Sequence, residues 1–209
     1  MLSFQKELGQ PIGYRSAEIW LHDLALRYGF IRKALFHLDC DLFGPSKNIL
    51  PETNPVFVLG LARSGTSILL EILAATGAFS FLSYKHMPFV TAPVTATRIS
   101  NLRRKNLDAR ERAHGDGIKI SLKSPESFEE VIWQTLGAAD TRSGLYNFRT
   151  PTNTMRQGFD AFRGQVILSN HRHPTANRYL SKNNNNIGRI DILAKIPKAA
   201  IFFLYPKSG

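Results

Sequence analysis

The 209-residue sequence predicts an α/β domain with a mostly parallel sheet, flanking helices and an N-terminal helical extension. Three observations predict it. Short continuous apolar runs, the pattern of strands buried on both faces, recur along the chain. Helical stretches separate them, as right-handed crossovers between parallel strands require. A glycine-bounded turn stands between the first such run and the next helix.

In the first fifty residues, Leu24, Tyr28, Ile31, Leu35, Leu38 and Leu42 recur at helical spacing and predict one apolar face. Gly29 interrupts it and divides the segment into two helices. Gly44-Pro45-Ser46 closes it, and Lys47–Asn54 reads as a linker. The expected division is thus an extension over 1–50 and an α/β domain over 51–209. Pro55–Leu59 predicts the first strand, and Ile68–Ala75, apolar all round, predicts a buried helix. Further strands are expected at Ile118–Leu122, Tyr179–Ser181 and Ala200–Tyr205, with helices over Pro125–Leu136 and Thr154–Leu168. No internal repeat is visible, and Asn183–Asn186 is the sole low-complexity tract.

Composition narrows the function classes. Apolar residues form 43% of the chain, enough for a real core. No apolar run approaches the roughly 20 residues of a membrane helix. The N-terminus lacks the apolar stretch and cleavage site of a secretory signal, so a cytoplasmic protein is expected. The single cysteine, Cys40, leaves no intramolecular disulfide and no multi-cysteine metal site. The formal charge of +11 points to an anionic partner. Between Arg98 and Arg112 six basic residues face two acidic ones, and from His171 onward seven face only Asp191. A solvated basic face is the plainer account of the first stretch. A nucleic-acid module is not expected, because the aromatics are not interleaved with the basic residues as a stacking platform.

The strongest local signal is Gly60-Leu-Ala-Arg-Ser-Gly-Thr-Ser67, directly after a strand and opening a helix. Its glycines allow close approach to an anion, and the free N–H groups at the helix start favour a dianionic phosphate. Ser64 and Gly65 belong to this cradle, and the hydroxyls of Thr66 and Ser67 add donors. An ordinary glycine turn is the bland alternative. A Walker A loop would carry Lys where Thr66 stands, which argues against an ATP- or GTP-hydrolysing enzyme or a P-loop kinase. Arg63 supplies the loop's cation instead. The fold expected around such a loop is P-loop NTPase-like.

Val58–Ser67 resembles the 5′-phosphosulfate loop of sulfotransferases that use 3′-phosphoadenosine 5′-phosphosulfate, with Ala62 and Ser67 in place of the common Pro and Thr. Tyr84–Val90, Arg112–Gly117, Ser124–Val131 and Arg178–Asn186 resemble blocks of the bacterial members, so the likeness runs from about residue 20 to residue 204. It implies a phosphosulfate donor held by Arg63, Ser64, Gly65, Thr66 and Ser67, with no obligatory metal. The acceptor would be a hydroxyl or amine on a small molecule, glycan or lipid. Lys182, just after a predicted strand, matches a lysine that contacts the sulfuryl and leaving-group oxygens. Relatives place a proton acceptor shortly after the loop helix. The segment here offers Ser83, Tyr84, Lys85 and His86, and His86 is the expected base because neutral imidazole takes a proton near physiological pH.

Other polar groups read as structural. His171-Arg-His173 has no carboxylate beside it and predicts no metal site. Glu126, Glu129 and Glu130 suit a helix dipole after Pro125. Asn183–Asn186 is expected to cap the following helix. The family pattern continues past Ala200–Leu204 into an Arg-Asp-Pro-like turn that binds the donor's 3′-phosphate, whereas this sequence reads Tyr205-Pro-Lys-Ser-Gly209. A C-terminally truncated member is therefore expected, with a non-catalytic remnant as the alternative. Acceptor identity and oligomeric state stay open.

Overall fold

The computed structural model describes residues 26–44, 54–61, 63–103, 110–111, 119–120, 123–140, 147–170 and 176–205. The basic tract beyond Arg103, the His171-Arg-His173 run and most of the expected linker fall outside these residues. Helix α1 spans Gly29–Phe43, followed by β1 (Val56–Gly60), α2 (Thr66–Ala75), β2 (Phe79–Ser80) and a short 3-10 turn at Tyr84–His86. Helix α3 (Pro93–Arg103) precedes the two-residue strands β3 (Arg110–Glu111) and β4 (Lys119–Ile120). Then come α4 (Glu130–Thr135), β5 (Ala139–Asp140), β6 (Asn147–Phe148) and α5 (Asn153–Ser169). Strand β7 (Arg178–Lys182), a 3-10 segment (Asn184–Arg189), α6 (Ile190–Leu193) and β8 (Ala200–Leu204) complete the order.

The architecture is mixed α/β. Strands β2, β7, β1 and β8 form, in that order, a four-stranded parallel sheet with flanking helices. Strand β1 lies inside it, with Val56, Phe57, Val58 and Leu59 all buried, as its unbroken apolar run predicts. One core cluster gathers Phe57, Leu59, Trp133, Phe159, Phe162 and Tyr179, with Trp133 stacked on Phe159 at 4.2 Å between centroids. The other gathers Val56, Val58, Leu70, Phe79 and Leu180 on the α2 side.

Several expectations need correction. Helix α1 does not bury its leucine stripe. Tyr28, Leu38 and Leu42 are exposed, while Phe36 and Asp39 face inward. The buried Asp39 carboxylate accepts from the backbone N–H groups of Val94 and Thr95 and from the Thr95 hydroxyl, so α1 packs into the same core as the rest. Helix α2 is not buried all round either, for Ile68 and Ile72 are 61% and 59% exposed. The strand expected at Ile118–Leu122 appears as β4, paired antiparallel with β3 in a separate two-stranded sheet. The helix over Pro125–Leu136 contracts to Glu130–Thr135, because Pro125 forms a bridge with Ser83 and the chain turns tightly at Phe128, whose N–H bonds the Glu126 carbonyl, before the helix begins. The outer strand β8 leaves Phe202 and Phe203 exposed.

Candidate active site

The turn after β1 occupies the carboxyl end of the parallel sheet, where open α/β sheets bind ligands. Two glycines shape it for different reasons. A Cβ at Gly60 would lie 2.2 Å from the Leu204 carbonyl oxygen and 2.8 Å from Ser64 Oγ, so only glycine lets the loop leave β1 against β8. Gly65 has φ +84° and open space around it, so its requirement is conformational. Arg63 adopts φ +63°, a left-handed conformation that costs a non-glycine residue on the order of 1 kcal/mol. Left-handed residues at Arg63 and Gly65 give the turn the kind of conformation from which anion-binding concavities of backbone N–H groups are built.

The hydrogen bonds sort the loop residues by role. Ser64 Oγ donates to the Leu61 carbonyl at 2.7 Å, which spends that hydroxyl on bracing the turn. The Leu61 N–H reaches the Leu204 carbonyl across to β8. The first pairing of α2 is Leu69 N–H to the Gly65 carbonyl, and no side chain caps the helix. Among the described residues, none accepts from the amides of Gly65, Thr66 and Ser67. The Arg63 side chain stands exposed at the rim, Thr66 is buried and Ser67 is half-buried. Unpaired amides, a helix start and an adjacent guanidinium suit a doubly charged phosphoryl or sulfuryl group.

Lys182 ends β7, in register with Val58 two residues before Gly60. Neighbouring strands run roughly 4.8 Å apart, so the lysine leaves the sheet beside the loop. Its backbone is held by Ser127 Oγ donating to the Lys182 carbonyl at 2.8 Å, and the Asn183 N–H continues the ladder to Val58 at 3.0 Å. Sequence and structure thus bring Arg63 and Lys182 to one end of the sheet.

His86 goes elsewhere. It is fully buried, its Nδ1 accepting from the Ser83 N–H at 2.9 Å and its Nε2 lying 3.2 Å from Ser169 Oγ. The bond to Ser83 places the ring proton on Nε2. Burial, aided by the charge of Lys85, holds the imidazole well below its usual value. With both nitrogens engaged and no exposed edge, His86 fixes the turn rather than meeting an acceptor, which corrects the base expected at this position. A neutral buried imidazole has a signature in pH. The unfolded chain takes up a proton near pH 6.5 while the native ring does not, so stability falls as pH drops through that value. This contribution, up to about 1.4 kcal/mol per pH unit, is expected to vanish in His86→Asn. Urea unfolding of both proteins between pH 5 and 7 checks it, and parallel slopes would count against the buried neutral ring.

Residues that the sequence reading took for helix-dipole and capping groups form a network that reaches Asn183, next to Lys182. Tyr84 donates to Glu126 at 2.6 Å, beside the Ser83–Pro125 bridge. Glu129, expected to serve only a helix dipole, is buried and accepts from Trp133 Nε1, Tyr179 Oη and Asn186 Nδ2 at 2.7–2.9 Å. Glu130 pairs with both terminal nitrogens of Arg189 and also accepts from Asn183. The asparagine tract therefore does more than cap. Asn183 caps the 3-10 segment through Asn185 N–H, while Asn183 and Asn186 tie it to the carboxylates. The available signal was two polar blocks, Ser124–Glu130 and Asn183–Arg189, each set among apolar runs.

Among the described residues no three His, Cys, Asp or Glu side chains gather to hold a metal. Burial pushes the half-buried Cys40 thiol up to about 11, which removes it as a nucleophile. No helix among the described residues is long and apolar enough to cross a membrane.

Residues 55–205, which hold the sheet, the loop and Lys182, match the sulfotransferase family. The chain belongs to that family. No curated protein matches it in sequence. Two solved sulfotransferases are similar in structure. STF9 from Mycobacterium avium shares 13% identity at a TM-score of 0.52, over 95% of this chain and 54% of that one. STF1 from Mycobacterium tuberculosis H37Rv shares 15% at a TM-score of 0.47, over 97% of this chain and 60% of that one. This sulfotransferase-family chain therefore spans little more than half the length of these solved relatives.

Proposed function

We propose that the chain binds 3′-phosphoadenosine 5′-phosphosulfate through the loop Arg63–Ser67 and transfers its sulfuryl group to a hydroxyl or amine. The observation that carries this reading is that the amides of Gly65, Thr66 and Ser67, beside the exposed Arg63, find no acceptor among the described residues. In the transfer the acceptor oxygen or nitrogen bonds to sulfur as the bond from sulfur to the phosphate oxygen breaks. Adenosine 3′,5′-bisphosphate leaves and the acceptor's proton is released. Negative charge grows on the bridging oxygen, so Arg63 and Lys182 act by electrostatic stabilisation and positioning. A Walker lysine and its magnesium have no counterpart in this arrangement, since Thr66 occupies the lysine position. The acceptor, a small molecule, glycan or lipid, would lie over the carboxyl ends of β7 and β2, where the Tyr84 and Glu126 side chains meet.

Calorimetry with adenosine 3′,5′-bisphosphate, magnesium ATP and a DNA oligomer tests the reading. Binding of the bisphosphate without magnesium is expected, weakened at least about tenfold in Arg63→Ala through loss of charge-assisted hydrogen bonds. Lys182→Ala is expected to abolish measured transfer while binding survives. Preference for magnesium ATP would replace this reading with a kinase-like one. A second reading, a family member that keeps the loop without turnover, draws support from Tyr205-Pro-Lys207, which stands where the family carries Arg-Asp-Pro. Bisphosphate binding without transfer to any acceptor would favour it.

A further inference from the structure

A cavity of about 110 Å³ lies where α4, α5 and the turn into β8 meet. Trp133, Phe159, Ile192 and Ile196 line it together with Arg156 and Lys195. The turn enters β8 at Ala200, paired with Val56, whereas the loop leaves β1 at Gly60. This wall of the cavity therefore stands at the opposite end of the sheet from the donor loop.

Helical spacing puts Arg156, Phe159 and Asp160 on one face of α5. Arg156 Nε is buried, and among the described residues no group accepts from it. Asp160 also lines the cavity, but its carboxylate accepts from Arg163 instead. Lys195 is exposed and adds a second cation on the solvent side. A desolvated guanidinium nitrogen without a partner is costly, and the planar fork matches a carboxylate through paired hydrogen bonds. Most of the remaining lining is apolar, with Trp133 stacked on Phe159, so the rest of a fitting ligand is hydrocarbon. An apolar cavity of roughly 150 Å³ accepts a benzene ring, so this smaller one suits a branched body of about four carbons. The nearby Asp160 charge disfavours a dianion such as phosphate more than a singly charged carboxylate.

We propose that Arg156 and Lys195 bind the carboxylate of a small branched aliphatic acid, whose hydrocarbon end fills the cavity against Trp133 and Phe159. The site uses neither the loop nor Lys182, so it is independent of donor binding and of sulfuryl transfer. Its occupant bridges α5 and the turn into β8, and a ligand held only by the folded chain raises the unfolding midpoint.

Isovalerate is the probe, and isovaleramide, of nearly the same shape without the charge, is its control. The Trp133 indole N–H, which donates to Glu129 at 2.9 Å, reports by NMR. Its signal is expected to shift saturably with isovalerate, and the amide to bind at least about tenfold more weakly. Arg156→Met weakens isovalerate at least about tenfold, Arg156→Lys weakens it less, and Lys195→Ala weakens it about threefold. The thermal midpoint rises with isovalerate in the unaltered protein and not in Arg156→Met. Adenosine 3′,5′-bisphosphate does not compete with isovalerate, and its own affinity is the same in all three variants. An indole signal indifferent to millimolar isovalerate, or undiminished binding in Arg156→Met, overturns the site. So does competition by the bisphosphate, or a response to inorganic phosphate as strong as that to isovalerate. Should Arg156→Met fail to fold, equal binding of acid and amide by the unaltered protein overturns it alone. Loss of the bisphosphate reading would leave the isovalerate result untouched.

Discussion

Replacing Gly60 by alanine is expected to destabilise the protein by roughly 3 kcal/mol or more, the upper end for overpacking at a site with no room to yield. The new methyl group would lie 2.2 Å from the Leu204 oxygen and 3.0 Å from its carbonyl carbon. Both atoms are backbone of β8, so relief requires the β1–β8 pairing to part near Leu59–Phe203 and Gly60–Leu204. The Leu61 N–H to Leu204 bond, which anchors the loop's entry, goes with it. Gly65→Ala is the matched comparison. Nothing lies within 4 Å of its Cβ position, so only the left-handed φ is penalised, at about 1–2 kcal/mol. Urea unfolding midpoints should fall much further for Gly60→Ala than for Gly65→Ala. Equal shifts would show that the close approach to β8 is not a constraint. Bisphosphate binding is expected to be lost in Gly60→Ala, because the loop can no longer start where β1 ends.

Arg189→Ala is expected to cost about 3–5 kcal/mol, the loss when one partner of a buried ion pair is removed. The guanidinium is buried, bonded to both Glu130 oxygens at 2.8 and 2.9 Å and to Asn186 Oδ1 at 3.2 Å, and lies 5.1 Å above the Trp133 ring. Its removal takes both guanidinium donors from the Glu130 carboxylate, leaving Asn183 among the described side chains, and opens space against the indole. Arg189→Lys should recover little, since one ammonium cannot make the paired bonds of the planar fork. Arg189→Met combined with Glu130→Leu should be more stable than Arg189→Ala alone, because no unpaired charge remains. Denaturant unfolding of the three variants measures this. A double variant no better than Arg189→Ala would point to the indole contact instead of the charge as the main term. Against a typical total of roughly 5–15 kcal/mol, either Gly60→Ala or Arg189→Ala removes a large share of stability.

These two sites differ in how far they could be seen in the sequence. Gly60 stood out as a glycine ending an apolar strand and opening a Gly-bounded loop. Arg189 carried no comparable mark. Its partners lie on a block about sixty residues earlier, and pairing across that separation depends on how β7 and α4 meet. Helix α1 shows the same limit from another direction. Its leucines recur at helical spacing, yet the helix turns Phe36 and Asp39 inward, because Asp39 finds the free amides at the start of α3. The spacing located the helix but not its orientation. His86 was chosen for the proton affinity of a free imidazole. Burial between Ser83 and Ser169 changes that affinity, and burial follows from packing.

By itself the sequence determined the local features whose causes are local. These are the runs of β1, β7 and β8, helix α5 and the loop whose glycines and hydroxyls can surround an anion. Backbone sterics and the period of apolar residues act within a few positions, so they can be read along the chain. The tertiary structure decided which face of each helix is covered and which carboxylates are paired. It also decided that the imidazole closes a turn, and that Lys85 meets Asn170. Burial and electrostatic neighbours arise only when distant segments meet, and they set the charge state on which the site's chemistry depends.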